Sequence, residues 1–245
     1  MTGLAIDDAA WASAWRVRSP ADKLLLSLGL VVCALVLPAW PGSVLVGLTA
    51  VLLALGPARV PARTFGRAVR LPLAFILVGA ATAVVEVGGD GIGWAPDAAA
   101  RAGGLVGHAL AGSAAVLLLA TTTPLSDLLP ALQRLRVPAA VVEVASVTYR
   151  LLFVLLTSLT TIREAQAARM GYASVRGSYR SAGALTAAVL TRSWDRARRL
   201  QDGLAGRGMD VGLRVLPEAR PSSRRFVAAT VAGLAVLVTV GVTAG

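Results

Sequence analysis

The sequence predicts an all-α, polytopic membrane protein with about five transmembrane helices and a helical cytoplasmic insert before the last of them. Of its 245 residues, 56% are hydrophobic and only 15% are charged, and the mean hydropathy is +0.71. The apolar residues form long runs, which a soluble domain with one core does not need. The net charge is +11, but the arginines cluster beside apolar runs, which favours membrane topology over nucleic-acid binding.

Five apolar runs are the expected spans, and four of them lie in the first half of the chain. They cover about 24–37, 44–55, 71–87, 102–120 and 226–242. The first two are shorter than the roughly 20 residues that cross a bilayer, so flanking residues must extend them or the bilayer must thin locally. A glycine-rich loop at 88–93 follows the third run.

Basic residues alternate between the connections and predict the orientation. They precede the first run and lie between the second and third, at Arg16, Arg18, Lys23, Arg59, Arg63, Arg67 and Arg70. The turn at 38–43 has no charge, and the loop at 88–100 carries only acidic charges. By the positive-inside rule, the N-terminus is cytoplasmic.

The segment 139–162 is apolar and long enough to cross the membrane. Crossing would place 163–225 outside, and that stretch has thirteen arginines and five acidic residues. Glu143 and Arg150 would also be costly if they faced lipid. We therefore interpret 139–162 as a buried or interfacial helix. This interpretation gives a membrane region of four spans at 1–121, coupling helices at 122–223 and a final span at 224–245.

Three helices are expected in this insert. The first opens at Thr123-Pro124, repeats leucine at 3–4 spacing (Leu125, Leu128, Leu129, Leu132 and Leu135) and ends at Pro138. The second runs from about Ala139 to Met170 and stops at Gly171. Gly177 and Gly183 are expected to mark a turn. The third runs from about Ala184 to Arg207 and stops at Gly208.

The second and third helices end alike, in a small residue, an arginine and a helix-stopping glycine nearby. We call Arg169 and Arg207, with their neighbours, the arginine tips. A cation is favoured near a helix C-terminus because the local dipole is negative. Two exposed tips suit acidic grooves on a dimeric or pseudo-dimeric partner, although ordinary positive-inside charges are an alternative explanation.

Several chemistries are disfavoured by the residues present. Lys23 follows Ser19-Pro20-Ala21-Asp22 and not a glycine-rich loop, so no P-loop exists. One histidine, His108, and one cysteine, Cys33, do not make a metal-ligand cluster. We expect His108 to make a packing hydrogen bond and Glu86 to be an interfacial carboxylate. No catalytic residue, metal site or cofactor is expected.

Two other classes of protein remain as alternatives. A stand-alone channel or carrier would need more polar groups along its spans than His108, Glu86 and a few hydroxyls. The stretch Asp202-Gly203-Leu204-Ala205-Gly206-Arg207 is similar to the start of the CDP-alcohol phosphotransferase signature. The further aspartates of that signature, which hold divalent metal, are missing, so membrane phosphotransferase activity is disfavoured.

The chain resembles the transmembrane T component of energy-coupling factor (ECF) importers, most closely the cobalt-uptake CbiQ family. The similar stretches are Ser19-Pro20-Ala21-Asp22-Lys23-Leu24, Thr122-Thr123-Pro124, Leu128-Leu129, Leu135-Arg136-Val137-Pro138, Tyr149-Arg150 and both arginine tips. In that family, Ala-Arg-Ser or Ala-Arg-Gly signatures end helices that dock into grooves on two ATPase subunits.

The resemblance implies that Ala168-Arg169-Met170 is the first signature and Gly206-Arg207-Gly208 the second. Met170 replaces a small residue, and Gly206 replaces alanine, which is expected to loosen the last turn at a cost of about 1 kcal/mol. The implied partners are two ATPase subunits, or an ATPase homodimer, and a substrate-binding membrane S component. The implied role is a non-catalytic subunit in a bacterial plasma membrane, with cobalt as cargo and nickel or a vitamin as alternatives.

Overall fold

The structure is a computed structural model that describes residues 5–88, 91–94, 97–134, 136–207 and 220–243. It divides into two compact units. We call Gly3–Leu128 together with Glu218–Gly245 the terminal unit, because both ends of the chain contribute to it, and Leu129–Pro217 the insert unit.

Helices dominate the terminal unit. They are α1 (Ala5–Ala12), α2 (Pro20–Val36), α3 (Val44–Leu55), α4 (Ala62–Val84), α5 (Ala98–Thr122) and α9 (Arg224–Thr243), with short helical turns at Ala14–Val17 and Ala39–Ser43. Between α4 and α5, where the sequence predicts a glycine-rich loop, the backbone forms a short antiparallel hairpin of β1 (Val85–Gly88) and β2 (Gly91–Trp94). In this register Glu86 lies opposite Gly93.

Helix α5 lies at the centre of the terminal unit and packs against α2, α3 and α4. Small residues allow this close approach, because Ala50, Ala54 and Ala115 are fully buried. Two side chains also bond to backbone carbonyls across the antiparallel pair of α2 and α5. Ser27 Oγ donates to Ala115 O at 2.7 Å, and His108 Nδ1 lies 2.7 Å from Ala34 O. Because a carbonyl only accepts, His108 carries its proton on Nδ1, and its predicted packing role is confirmed.

The insert unit is a helical hairpin that follows a short helix. Helix α6 (Leu125–Arg134) starts in the terminal unit and leads through Pro138 into α7 (Ala139–Ala168), which packs against α8 (Val175–Ala205). Leu135, predicted to close the leucine repeat, lies outside the described residues.

Four of the helices in the described ranges are long and apolar enough to span a membrane, namely α4, α5, α7 and α9. The first two apolar runs form helices of only 17 and 12 residues, as expected from their lengths. The predicted all-α, polytopic membrane fold is therefore confirmed, with the short hairpin between α4 and α5 as an addition. That α7 lies in the interface and does not cross remains a prediction.

Two local predictions are wrong. Gly177 and Gly183 do not mark a turn, because α8 starts at Val175 and runs through both. The chain instead reverses between α7 and α8, and the Ser174 side chain caps α8 by accepting a hydrogen bond from Gly177 N at 3.1 Å. The third helix of the insert therefore starts at Val175 and not at about Ala184. Arg63, Arg67 and Arg70 lie between the second and third apolar runs as predicted, within the start of α4.

Close packing of α5 predicts that Gly107→Leu is far more damaging than Gly112→Leu. A Cβ atom at Gly107 would lie 2.7 Å from Ser43 Oγ, whereas one at Gly112 meets nothing within 4 Å. We expect Gly107→Leu to lower the free energy of unfolding by about 1–3 kcal/mol and Gly112→Leu to change it little. Thermal unfolding in detergent measures both, and equal destabilisation of the two variants would contradict this packing.

Candidate functional site

The first arginine tip is formed by the C-terminal closure of α7. Arg169 is the C-cap, Met170 follows with φ of 57°, and the N–H of Gly171 donates to Gln166 O at 2.9 Å. The N–H of Met170 also donates to Ala167 O at 3.0 Å. This pair of bonds is the Schellman closure, which needs a left-handed residue directly after the C-cap. The turn therefore fixes where the Arg169 side chain leaves the helix.

Side chains hold this turn against the start of α8. Gln166 Nε2 donates to Ser181 O at 3.1 Å, and Tyr172 Oη donates to Gln166 Oε1 at 2.7 Å. Ser181 Oγ donates back to Gly171 O at 2.8 Å. A side chain at Gly171 would collide with this arrangement, because its Cβ would lie 2.6 Å from Ser181 Oγ. Hydrogen bonds between the end of α7 and the start of α8 therefore hold the turn that carries the first tip.

The second arginine tip follows the end of α8. Gly206 is the C-cap in a right-handed helical conformation, and the Arg207 N–H donates to Leu204 O at 3.0 Å. The predicted site residue Gly208 lies outside the described residues. With φ and ψ of −62° and −16°, Gly206 occupies a conformation that alanine also adopts freely.

The two tips lie at opposite ends of one helix. Helix α8 has 31 residues, so at 1.5 Å per residue it is about 46 Å long. Arg169 lies just before its start and Arg207 just after its end, and both are exposed. Neither guanidinium group makes a hydrogen bond or ion pair with another residue in the described part of the chain. The structure therefore presents two free guanidinium groups, far apart, and does not join them into one site.

A second polar cluster lies in the terminal unit, where Asp22 and Lys23 at the start of α2 are buried, only 4% and 2% exposed. Lys23 Nζ donates to Thr122 O at 2.9 Å, at the C-terminus of α5. Asp22 accepts from Ser222 Oγ at 2.6 Å and from Ser223 N at 2.9 Å, just before α9. The cation lies at a helix C-terminus and the anion at a helix N-terminus, so each charge matches the local dipole.

An ion pair lies in the same unit. Arg220 Nη1 donates to Asp127 Oδ2 at 2.7 Å, with 13% and 16% of the two side chains exposed. The same guanidinium donates to Arg16 O. Lys23 lies one residue before the first apolar run, outside the predicted span. Burial lowers the pKa of its ammonium group to about 8. The charge of Asp127 acts against this shift and raises the pKa, whereas the charge of Arg220 adds to the shift.

At the level of sequence, Asp22 and Lys23 enter only the topology, the missing P-loop and the family resemblance, and Asp127 and Arg220 have no individual role. One signal was available, because Lys23 is the only lysine in a chain whose other cations are arginines. A buried cation that must match one carbonyl benefits from a flexible ammonium. The pairing with residues about a hundred positions away carries no local signal. In the described residues, no group of three or more His, Cys, Asp or Glu side chains could hold a metal ion.

The profile of the CbiQ family, described as cobalt transport protein, matches residues 12–215, which include both arginine tips. The chain belongs to the CbiQ family of cobalt transport proteins.

Relatives from several organisms agree with this family. The chain is 42% identical to the cobalt transport protein CbiQ of Rhodobacter capsulatus over 93% of each chain. It is 30% identical to the CbiQ of Salmonella typhimurium over 78% of this chain and 90% of that protein. It is also 28% identical to a putative fused cobalt transport protein CbiMQ of Methanocorpusculum labreanum, over 87% of this chain and 37% of the fused protein.

The left-handed residue in the first tip predicts a stabilising substitution. Left-handed φ costs a residue with a side chain about 1–2 kcal/mol, and glycine is free of this strain. We expect Met170→Gly to slow amide exchange at 169–171 by roughly fivefold, which corresponds to about 1 kcal/mol. Met170→Ala keeps the strain and is the matched control. Hydrogen exchange with mass spectrometry measures both, and equal protection of the two variants would contradict the assigned turn.

The buried lysine predicts a pH dependence of stability. Since the folded-state pKa of about 8 lies below the usual 10.5, the unfolded chain binds more protons between these values. The free energy of unfolding should therefore rise with pH across that window. The difference in melting temperature between the wild type and Lys23→Met, measured in detergent from pH 7.5 to 10, should shift in favour of the wild type as pH rises. A constant difference would show that Lys23 does not titrate there.

Proposed function

We propose that the chain is the energy-coupling T subunit of an ECF-type, ATP-driven importer whose cargo is cobalt. It performs no catalysis itself. Two ATPase subunits, or an ATPase homodimer, bind and hydrolyse nucleotide, and a separate membrane S component binds the substrate. The observation that carries the proposal is the pair of exposed arginines at the two ends of α8.

The separation of the tips favours two docking sites over one. A helix about 46 Å long cannot bring both guanidinium groups into one groove while it stays intact. Two related subunits, each with an acidic groove, match this geometry. Arginine suits such grooves because its planar fork forms two parallel hydrogen bonds with a carboxylate.

Membership of a cobalt transport family supports the cargo, although nickel and a vitamin are the alternatives to be tested. The relative described as a fused CbiMQ protein has additional sequence beyond the part that this chain matches. That extra sequence supports an arrangement in which a T subunit works beside another membrane protein. The arginine-rich connections support a plasma-membrane protein whose N-terminus is cytoplasmic. In this orientation the arginine tips can reach ATPase subunits in the cytoplasm.

Docking in turn suggests a mechanism. ATP-driven closure of the ATPase subunits moves the Arg169 and Arg207 helices together. Helix α7, which ends in the first tip, carries this motion along its 30 residues towards the membrane. There the substrate subunit tilts and releases its cargo.

Charge reversal at the tips tests the proposal. We expect Arg169→Glu with Arg207→Glu to abolish co-purification of the ATPase subunits and ATP-dependent cobalt uptake, because breaking such pairs costs roughly 2–5 kcal/mol each. Arg192→Glu with Arg196→Glu is the control, since both arginines are exposed within α8 and away from its ends.

If the tip variant keeps its ATPases and its uptake, the coupling role is wrong. If the control variant loses both as well, general charge and not the tips is responsible. Cobalt flux into liposomes that contain this chain alone would instead support a channel or carrier. Parallel uptake assays with nickel distinguish the two metals as cargo.

A further inference from the structure

The chain leaves the terminal unit at Leu129 and returns to it at Glu218. Asp127 lies two residues before the exit, and Arg220 lies two residues after the return. Their side chains form the 2.7 Å ion pair, although 93 residues separate them in sequence. This ion pair therefore joins the two chain segments that lead into and out of the insert unit.

This ion pair is fastened to the terminal unit as well. The Arg220 guanidinium also donates to the Arg16 carbonyl, just before α2. Two residues further on, Ser222 and Ser223 bond to the buried Asp22 carboxylate. Before the exit, the Thr122 carbonyl accepts from Lys23. Both segments are therefore bonded to the beginning of α2. Asp22 holds the segment before α9, and Lys23 holds the end of α5.

The surrounding hydrogen bonding is incomplete. Four buried side-chain atoms in the described residues have no hydrogen-bond partner, namely Arg16 Nε, Ser19 Oγ, Thr123 Oγ1 and Ser126 Oγ. Arg16 and Ser19 lie just before α2, and Thr123 and Ser126 lie between the end of α5 and Asp127. Buried polar groups are normally satisfied, and each one left over costs about 1–3 kcal/mol. The segments around the ion pair are therefore not fully satisfied by hydrogen bonds among the described residues.

We propose that Asp127 and Arg220, with the Arg16 carbonyl, form a joint through which movement of the insert reaches the membrane helices. We call it the insert joint, and its two charged residues are positioning residues for transport. The inference rests on the proposed coupling function. The two segments that lead into and out of the insert unit transmit force to the membrane helices only while they move together. The ion pair between Asp127 and Arg220 holds them together.

The insert joint predicts that breaking the pair uncouples ATP hydrolysis from transport without releasing the ATPase subunits. The variant is Arg220→Gln, studied in the complete assembly recovered by a tag on this chain and reconstituted in liposomes. We expect the ATPase subunits to co-purify in wild-type amount, ATP hydrolysis to continue, and cobalt uptake per ATP hydrolysed to fall by tenfold or more. A merely structural role would lower the yield of assembly and leave this ratio unchanged.

The conservative variant Arg220→Lys keeps the experiment decisive if Arg220→Gln fails to assemble, because its ammonium group can still donate to Asp127 and to the Arg16 carbonyl. We expect Arg220→Lys to assemble and to retain at least half of the wild-type uptake per ATP. Assembly without retained coupling, or failure to assemble, would overturn the inference. So would an unchanged ratio in Arg220→Gln.

Exposed charges provide the matched control, and Arg224→Gln changes an exposed arginine at the start of α9. It should leave the uptake per ATP unchanged. Failure of the joint is distinguishable from failure of the proposed function, because the latter appears as retained ATPase subunits in the arginine-tip variant. The joint alone fails if the tip variant releases its ATPases while Arg220→Gln couples normally.

Discussion

Two adjacent buried charges, Asp22 and Lys23, hold three helices of the terminal unit at one end. The ammonium group satisfies a carbonyl at the C-terminus of α5, where the last carbonyls of a helix have no partner within it. The carboxylate accepts a backbone N–H just before α9. Burying either charge alone would be expensive, and the matching helix dipoles offset part of that cost. The positions of α5 and α9 relative to α2 therefore depend on this pair.

The separation of the arginine tips follows from the insert unit itself. Helix α8 separates the arginine tips by its own length, and the Schellman turn at Met170 fixes the direction in which Arg169 leaves α7. The position directly after Arg169 is left-handed, a conformation that favours glycine. Met170 adopts it at the cost of strain, and the turn still closes through the bond from Gly171 N–H to Gln166 O.

Much of the fold could be predicted because apolar runs and prolines act locally. The run at 226–242 became α9, and Pro138 separates α6 from α7. Gly177 and Gly183 misled because a glycine costs a helix only about 1 kcal/mol, which a long helix with a capped start absorbs. The arginine tips were visible as a repeated ending. The contacts of Asp22, Lys23 and Arg220 were not, since each joins residues far apart in sequence, and only the fold determines such pairs.

We propose that this chain transmits force through two arginines that insert into two ATPase subunits. A solved structure of the complete assembly, with nucleotide bound, tests it most directly through the surroundings of Arg169 and Arg207. The account predicts that each guanidinium is buried in a groove of a different ATPase subunit and paired there with a carboxylate. Finding both side chains in solvent or lipid, with no ATPase residue within hydrogen-bond distance, would contradict it.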